Sequence, residues 1–225
     1  MDKNILEIEN ISFAYRKNNV LNNIDLAIEN NSVFGIIGPN GSGKTTLLKI
    51  LLSILKPQQG QVKFHSKYKI GVVLEFIGMF PNFTPKRNLK IAATIKQVPF
   101  CEIDDALLKT GLIEYKNKKV KTFSLGMKQR LAIASCLLGN PDIVILDEPT
   151  NGLDPLAVME LRNIIKQLAS EGKTIIIASH ILSELEKICT HVAVINKGKI
   201  TLGGKLSELM KDYENMEDLF IKNLM

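Results

Sequence analysis

A glycine-rich stretch, GPNGSGKTT, occupies residues 38–46 of this chain. It follows an apolar run at residues 33–37 and precedes an apolar-periodic segment at residues 47–52, which predicts a strand, a loop and a helix. Glycines here allow several backbone N–H groups to converge on one anion, and the helix adds its positive dipole end. The stretch therefore predicts a phosphate-binding loop on an α/β fold. A chance glycine turn is the alternative, and its flanking segments argue against it.

The loop supplies a set of candidate ligand contacts. We expect Lys44 to reach the β- and γ-phosphates of a nucleotide and the Thr45 hydroxyl to bind Mg²⁺, because both chemistries are typical of this spacing. The full set of candidate nucleotide contacts is Gly38, Asn40, Gly41, Ser42, Gly43, Lys44, Thr45 and Thr46.

Two carboxylates, Asp147 and Glu148, end a second apolar run at residues 143–146. Such a run is typical of a strand buried on both faces, and ligands of open α/β sheets bind at the carboxyl edge. We expect Asp147 to hold Mg²⁺ and Glu148 to act as general base for an attacking water. A solvated strand end is the alternative.

Two further features could contact the phosphates of a nucleotide. His180 ends a predicted strand at the same sheet edge, where its imidazole could contact the γ-phosphate or orient Glu148. Ser124 and Gly126 open a predicted helix and form a second anion-facing N-terminus. Only one such terminus fits around a phosphate cradled by residues 41–46, so the second would serve the nucleotide of another molecule.

Composition adds few constraints. The chain has 225 residues and a net charge of +6, which fits an anionic nucleotide, a membrane surface or a ribosome without choosing among them. Cys101, Cys136 and Cys189 lack paired spacing, so we predict free thiols and no disulfide or zinc site. The N-terminus lacks a signal-peptide core, and no run approaches about 20 apolar residues, so we predict that the chain does not span a membrane.

The order of predicted elements indicates three regions. Alternating residues at 5–15 and a strand at 24–28, joined by a turn at 16–19, predict an antiparallel hairpin or small sheet before the nucleotide core. Residues 76–140 are mostly helical, and strands alternating with helices after residue 140 predict a parallel sheet. The predicted helices are 86–96, 103–109, 126–138, 155–170, 181–188 and a tail helix from 205; the remaining strands are 33–37, 61–65, 69–74, 143–146, 174–178, 191–196 and 199–202.

The motifs GPNGSGKTT, SLGMKQR at 124–130, ILDEPTNGLDP at 145–155 and the Ser179-His180 pair occur in the order seen in ATP-binding cassette (ABC) ATPases, which this chain resembles. The resemblance implies an α/β fold: a P-loop NTPase (RecA-like) core sheet with an N-terminal antiparallel β subdomain and an inserted α-helical subdomain. It implies one nucleotide-binding domain over 1–225. Within it, 1–75 and 141–205 would form the catalytic core, 76–140 the helical subdomain and 206–225 a helical tail.

The same resemblance implies ligands and partners. ATP and Mg²⁺ would bind, Tyr15 would stack on adenine, and His180 would be the switch histidine. Tyr15 could instead be an ordinary surface tyrosine. Residues 151–154 match the D-loop, which crosses the interface of a head-to-tail, ATP-induced homodimer. The resemblance further implies separate transmembrane permease subunits, a peripheral position on the cytoplasmic face of the membrane, and no nucleic acid.

The chain departs from the family pattern in two places. The usual signature LSGGQ is replaced by FSLGM at 123–127, which keeps Ser124 and Gly126. Glu75 stands where the family has a glutamine, making Thr45, Glu75 and Asp147 the candidate metal residues. With these two departures, the chain resembles the ABC subunits that protect bacteria against lantibiotics and bacitracin-like peptides. A neutral substitution in a generic exporter subunit is the alternative.

The resulting hypothesis is an ATP-hydrolysing subunit that powers separate membrane subunits, for export of or immunity against an antimicrobial peptide. We place its coupling surface at residues 76–88, whose apolar side chains could equally be helical-subdomain core. The second hypothesis is a soluble ABC ATPase acting on ribosomes, nucleic acid or a protein scaffold. The single phosphate loop and the lack of a long heptad segment argue against its translation-factor and DNA-repair versions. A nucleotide-gated binding module with little hydrolysis is the third.

Overall fold

The computed structural model describes residues 3–74 and 78–224. These residues form strands β1 Asn4–Tyr15, β2 Asn18–Glu29, β3 Val33–Ile37, β4 Gln59–Phe64, β5 Ile70–Val73, β6 Ile143–Asp147, β7 Thr174–Ser179, β8 His191–Asn196 and β9 Lys199–Lys205. The helices are α1 Lys44–Leu51, α2 Pro85–Lys96, α3 Glu102–Lys109, α4 Leu125–Leu137, α5 Pro155–Ser170, α6 Leu182–Leu185, α7 Leu206–Leu209 and α8 Met216–Lys222.

The chain divides into two compact units. The first comprises Met1–Lys67 with Thr174–Met225, and the second is Tyr68–Lys173. The subdomain boundaries expected from the sequence, at 75, 140 and 205, stay a prediction.

The first unit contains an antiparallel sheet in the order β2-β1-β4. The alternation along β1 buries Leu6 and Ile8 on one face, as its period-two pattern predicts. The predicted hairpin is confirmed, but β2 begins at Asn18, much earlier than expected. Tyr15 pairs with Asn18, so the turn contains only Arg16 and Lys17. The polar asparagines at the start of β2 hide this strand from a hydrophobic pattern.

A second group of strands in this unit has the order β7-β3-β8-β9. β3 is parallel to both β7 and β8, and every residue of β3 and β7 is buried. The predicted parallel arrangement is therefore confirmed for these strands. The edge strand β9 differs because it runs antiparallel to β8.

The C-terminal helices differ from the predicted ones. α6 has only four residues, and the tail, predicted as a helix from 205, consists of two separate helices, α7 and α8. Asn215 starts the last helix anew, because its extended backbone places the side chain to accept a hydrogen bond from Asp218 N at 2.8 Å. α8 then buries Met216 and Leu219 completely.

The second unit pairs β5 with β6 in parallel and contains α2 to α5. The predicted bounds of these helices are confirmed to within one residue. Local caps explain the agreement: Thr84 caps α2 and is followed by a proline, and Asp154 caps α5 in the same way. The apolar faces of α2, α3 and α4 share one core, which includes Leu89, Ala93, Ile103, Leu107, Leu131 and Leu138.

The three cysteines are free thiols in different environments. Cys136 and Cys189 are buried, and burial raises the pKa of each thiol to about 12, so both are inert. Cys101 is exposed. Within residues 3–74 and 78–224, no helix combines the length and apolar character needed to cross a membrane.

Candidate functional site

The predicted phosphate loop joins β3 to α1 in the first unit, as the sequence indicates. Gly41 has φ +79° and Gly43 has φ +112°, a backbone region that favours glycine. A Cβ atom at Gly41 would meet nothing within 4 Å, so this part of the loop is open. At Gly43, a Cβ atom would lie 2.7 Å from Leu21 Cδ2. Glycine at 43 therefore satisfies both the backbone conformation and the packing of β2 on the loop.

The side chain of Lys44 curls back over this loop. Lys44 is buried, and its Nζ donates hydrogen bonds to Gly38 O at 2.8 Å and Pro39 O at 3.3 Å. These carbonyls hold the ammonium group within the curve of the loop. A cation is therefore fixed beside backbone N–H groups at the start of α1, the combination that an anion requires.

The polar groups of the loop fit a phosphate. Gly43 is the N-cap residue of α1 and has no side chain, so it supplies no capping oxygen to the first-turn N–H groups. Ser42 Oγ is buried, and nothing in the described part of the chain hydrogen-bonds to it. Buried hydroxyls are normally paired, so an orphaned one beside a lysine and a helix N-terminus suits phosphate oxygens. Thr46 is buried, Thr45 is half-buried and Asn40 is exposed.

His180 lies at the same sheet edge as this loop. β3 and β7 are parallel neighbours in which Ile37 pairs with Ser179, so Gly38 and His180 each follow directly after a paired residue. His180 is exposed, and the Ser179 hydroxyl accepts a hydrogen bond from Ile181 N at 3.1 Å. The sequence-based placement of His180 at the carboxyl edge of its strand is therefore correct.

Tyr15 is the last residue of β1 and is 44% exposed. Its ring meets Phe13 edge-on, with ring centroids 4.9 Å apart and an interplanar angle of 85°. This geometry braces one edge of the tyrosine while the side chain stays accessible. An accessible, braced ring suits a stacking platform for a flat base.

Asp147 and Glu148 lie in the second unit, at the end of β6. Asp147 is the last residue of the strand and only 2% exposed. Glu148 follows with φ +47°, a left-handed conformation that costs a non-glycine residue about 1–2 kcal/mol. Its carbonyl accepts a hydrogen bond from Asn151 N at 3.2 Å, which helps to hold the turn. Backbone strain of this kind clusters at functional sites.

Ser124 is the N-cap residue of α4, as predicted. Its Oγ accepts a hydrogen bond from Met127 N at 3.2 Å, which leaves the hydroxyl proton available for donation. Gly126 is buried, and a Cβ atom there would lie 2.5 Å from Ala157 Cβ. Gly126 is predicted to contact an anion, but the crossing of α4 and α5 by itself demands glycine here.

Asn88, which was not predicted as a functional residue, fixes the segment of the predicted coupling surface. Asn88 is buried; its Oδ1 accepts from Phe80 N at 2.8 Å, and its Nδ2 donates to Phe80 O and Thr84 O, each at 3.1 Å. Phe80 is 51% exposed, Phe83 lies against it with centroids 5.4 Å apart, and Met79 packs on the helical core. Met79 therefore belongs to the helical core and Phe80 lies at the surface, and the coupling role of this segment stays a prediction. An asparagine in the first turn of a helix is the signal that could have identified this anchor.

Glu75, Phe76 and Ile77 lie outside the described residues, so the structure does not test the proposed third metal residue. In the described ranges, His, Cys, Asp and Glu side chains form no group of three that could hold a metal ion. Thr45 and Asp147 stay predicted metal residues.

A sequence model of the family described as "ABC transporter" matches residues 21–151. The lantibiotic transport ATP-binding protein SrtF of Streptococcus pyogenes is 41% identical over 226 residues, covering 96% of either chain. The bacitracin transport ATP-binding protein BcrA of Enterococcus faecalis is 37% identical over 92% of this chain and 71% of its own length.

Solved structures of similar proteins have the same fold. The protein cbiO1 from Clostridium perfringens, part of the ABC transporter complex cbiONQ, superposes with a TM-score of 0.86 at 31% identity, covering 94% of this chain and 92% of its own. The ADP conformation of MJ1267, an ATP-binding cassette of an ABC transporter, gives a TM-score of 0.89 over 99% and 98% of the two chains. At 23% identity, the second similarity concerns the fold alone.

Proposed function

Because this chain belongs to the ABC transporter family and is an ATP-binding, ATP-hydrolysing subunit of that class, we propose that it powers transport of an antimicrobial peptide. The observation that carries the proposal is the similarity to SrtF along nearly the whole chain. BcrA, whose name specifies bacitracin transport, supports the same substrate class. The transported molecule would be an amphipathic peptide that is exported or expelled from the membrane.

The phosphates of ATP would bind the loop at residues 38–46, with Tyr15 stacking on adenine. Lys44 and the orphaned Ser42 hydroxyl support this assignment, since both offer protons where phosphate oxygens would lie. The hydrogen bonds from Lys44 Nζ to the carbonyls of Gly38 and Pro39 keep the ammonium group inside the loop, where phosphate oxygens would bind. Nucleotide binding would therefore exchange the two lysine contacts for contacts to phosphate.

Thr45, Asp147 and Glu75 would hold Mg²⁺, which neutralises charge on the transferring phosphoryl group when bound. The buried Asp147 supports this role, because a buried carboxylate gains most from a neighbouring cation. Glu75 would add a negative charge where a glutamine amide is usual, which favours tighter metal binding.

Glu148 would take the proton from the attacking water, as general base. The left-handed backbone at this residue supports the role, because it fixes the direction in which the carboxylate leaves the strand end. His180 would contact the γ-phosphate or orient Glu148, and Lys44 would compensate charge on the phosphate. Positioning and charge compensation supply most of the acceleration in phosphoryl transfer.

The complete site would require two copies in a head-to-tail dimer. In this arrangement, Ser124 and the start of α4 in one copy would face the nucleotide bound to the other. Leu125, Leu156 and Met159 support such an interface, because they are large apolar residues with exposed side chains around the same helix starts. ATP would stabilise the closed dimer, and hydrolysis would release it.

The membrane-spanning subunits would hold the chain at the cytoplasmic face of the membrane as a peripheral protein. Their docking surface would include Phe80 and Phe83, with the Arg87 guanidinium 3.9 Å from the Phe83 ring centroid. An exposed aromatic ring, packed on a half-buried one with a cation beside it, is a composition expected of a protein interface. We expect no nucleic-acid partner.

The test is affinity purification of the tagged chain from gently solubilised membranes, followed by ATPase measurements with added lantibiotic or bacitracin. We expect a polytopic membrane protein at a fixed ratio to the tagged chain, and turnover that rises with the peptide. An unmodified linear peptide of equal charge is the control. Ribosomal or soluble scaffold proteins as the only partners would contradict the proposal and favour the second hypothesis.

A further inference from the structure

The two segments that would contact a second nucleotide begin at one helix crossing in the second unit. We call residues 123–127 the signature segment and residues 151–154 the D-loop segment. Ser124 caps α4, and Asp154 Oδ1 caps α5 by accepting from Ala157 N at 3.0 Å. Each segment therefore ends as the first turn of a rigid helix, so its position follows the position of that helix.

At this crossing the two helices touch without intervening space. A Cβ atom at Gly126 would lie 2.5 Å from Ala157 Cβ, and one at Gly152 would lie 3.3 Å from Leu125 Cδ2. Glycine thus allows α4 to approach α5 and the D-loop segment to approach the signature segment. Close packing of this kind transmits a displacement of one helix to the other.

A charged contact lies one turn further along both helices. Arg130 Nη2 is 3.3 Å from Glu160 Oε2, which joins α4 to α5. Arg130 Nη1 also approaches Thr110 O at 3.3 Å and Gly111 O at 3.4 Å, beyond the end of α3. One guanidinium therefore fixes α4 against two neighbours, and its planar fork gives the contact a defined direction.

We propose that Arg130, through Glu160, is a positioning residue that keeps the signature segment and the D-loop segment in fixed register, so that both meet the second nucleotide together. This inference rests on the shared nucleotide site described under Proposed function. Arg130 would act through Ser124 and the D-loop segment, and it would not touch the nucleotide.

The chemistry of Arg130 favours positioning over stability. Its side chain is 12% exposed, and its Nε is buried without a hydrogen-bond partner among the described residues. A buried ion pair contributes little net stability, and removing one partner is costly only when the charge left behind is buried. The Glu160 side chain is 39% exposed, so water can solvate its carboxylate when Arg130 is replaced. A directional contact between two motif-bearing helices explains why an arginine lies here.

The test uses Glu148→Gln as the parent, because slowed hydrolysis preserves the ATP-bound dimer. In this parent we compare Arg130→Met, Glu160→Gln, the double variant and Lys166→Met, an exposed control on α5. Light scattering gives the ATP concentration for half-maximal dimer, calorimetry at low protein concentration gives ATP binding to the single chain, and thermal melting reports stability.

We expect Arg130→Met to raise the half-maximal ATP concentration about tenfold, a value typical of coupling between contacting residues. ATP binding to the single chain should stay within about twofold, because the phosphate loop is unchanged. Glu160→Gln should act in the same direction, and the double variant should be no worse than Arg130→Met. Dimerisation of Arg130→Met at the parent ATP concentration, with or without a lower melting temperature, would overturn the inference.

A methyl exchange tests the crossing if Arg130→Met does not fold. Gly126→Ala places a methyl against Ala157, and Ala157→Gly then removes the opposing one. We expect Gly126→Ala to weaken ATP-driven dimerisation and the double variant with Ala157→Gly to restore it. If the double variant dimerises as weakly as Gly126→Ala, coupling through the crossing is overturned.

A Glu148→Gln parent that stays monomeric in ATP would overturn the shared site, and this inference with it. If the parent and Arg130→Met dimerise at the same ATP concentration, the positioning role of Arg130 is overturned, whereas the shared site is not.

Discussion

Glu148 has a backbone conformation that few non-glycine residues adopt, directly after a strand buried along its whole length. Its carbonyl is held by Asn151 N, the first residue of the D-loop segment. The direction of the carboxylate and the path of the D-loop segment are therefore set by one turn. Strain at this position is compatible with a group that must point at a reacting water.

Replacing Glu148 tests its role at the residue scale. Glu148→Gln keeps the size of the side chain but cannot accept the proton of water, so turnover should fall by about 100-fold or more while ATP still binds. Steady-state phosphate release and calorimetric ATP binding measure the two effects. Glu208→Gln, an exposed carboxylate on α7, is the control and should leave both unchanged. Near-normal turnover of Glu148→Gln would remove Glu148 from the base position.

The sequence predicted which residues form the loop and the strand end, because glycine spacing and apolar runs are local signals. It did not predict the left-handed turn at Glu148, which depends on a hydrogen bond to a later residue. Gly126 shows the same limit. Its glycine is explained by Ala157, a contact that no spacing within the signature segment reveals.

At the scale of elements, helices were predicted well where a cap is local in sequence. Thr84 caps α2 and Asp154 caps α5, and each cap is followed by a proline that begins the helix. The prediction failed where asparagines decide the structure: Asn18 begins a strand that hydrophobicity does not mark, and Asn215 restarts a helix within the tail. In both places hydrogen bonding, rather than an apolar period, sets the boundary.

One lysine stabilises the end of α4. Lys96 Nζ donates to Ser135 O at 2.7 Å, Cys136 O at 3.1 Å and Leu138 O at 3.3 Å, where the helix leaves carbonyls unpaired. Burial lowers the pKa of Lys96, so part of the gain is offset by desolvation of its charge. These bonds still satisfy carbonyls that no following turn of the helix can reach.

We therefore expect Lys96→Met to lower the free energy of unfolding by about 1–2 kcal/mol, the usual effect of losing such hydrogen bonds. Denaturant unfolding followed by circular dichroism measures this change. Lys90 is an exposed lysine on α2, the helix that also carries Lys96. Lys90→Met should change the free energy of unfolding by less than about 0.5 kcal/mol. Equal effects of the two substitutions would show that the carbonyl contacts of Lys96 contribute nothing.

At the scale of the whole molecule, the order of motifs along the chain indicated the fold and the family, and both are confirmed. The ion pair of Arg130 and Glu160 was not predicted, because it joins side chains on separate helices. The sequence indicated a shared site because two helix N-termini could bind an anion, while only one of them fits around a single phosphate. The structure adds that the two motif-bearing helices in one unit are packed together at their first turns.

We propose that this chain hydrolyses ATP in a site completed by a second copy. The most direct measurement is ATP turnover per chain as a function of chain concentration, for the natural chain and for Lys44→Ala. We predict turnover per chain that rises with concentration until the dimer saturates, and loss of turnover in Lys44→Ala, since the lysine that would hold the phosphates is gone. Turnover per chain that is independent of concentration, or that survives in Lys44→Ala, would contradict the account.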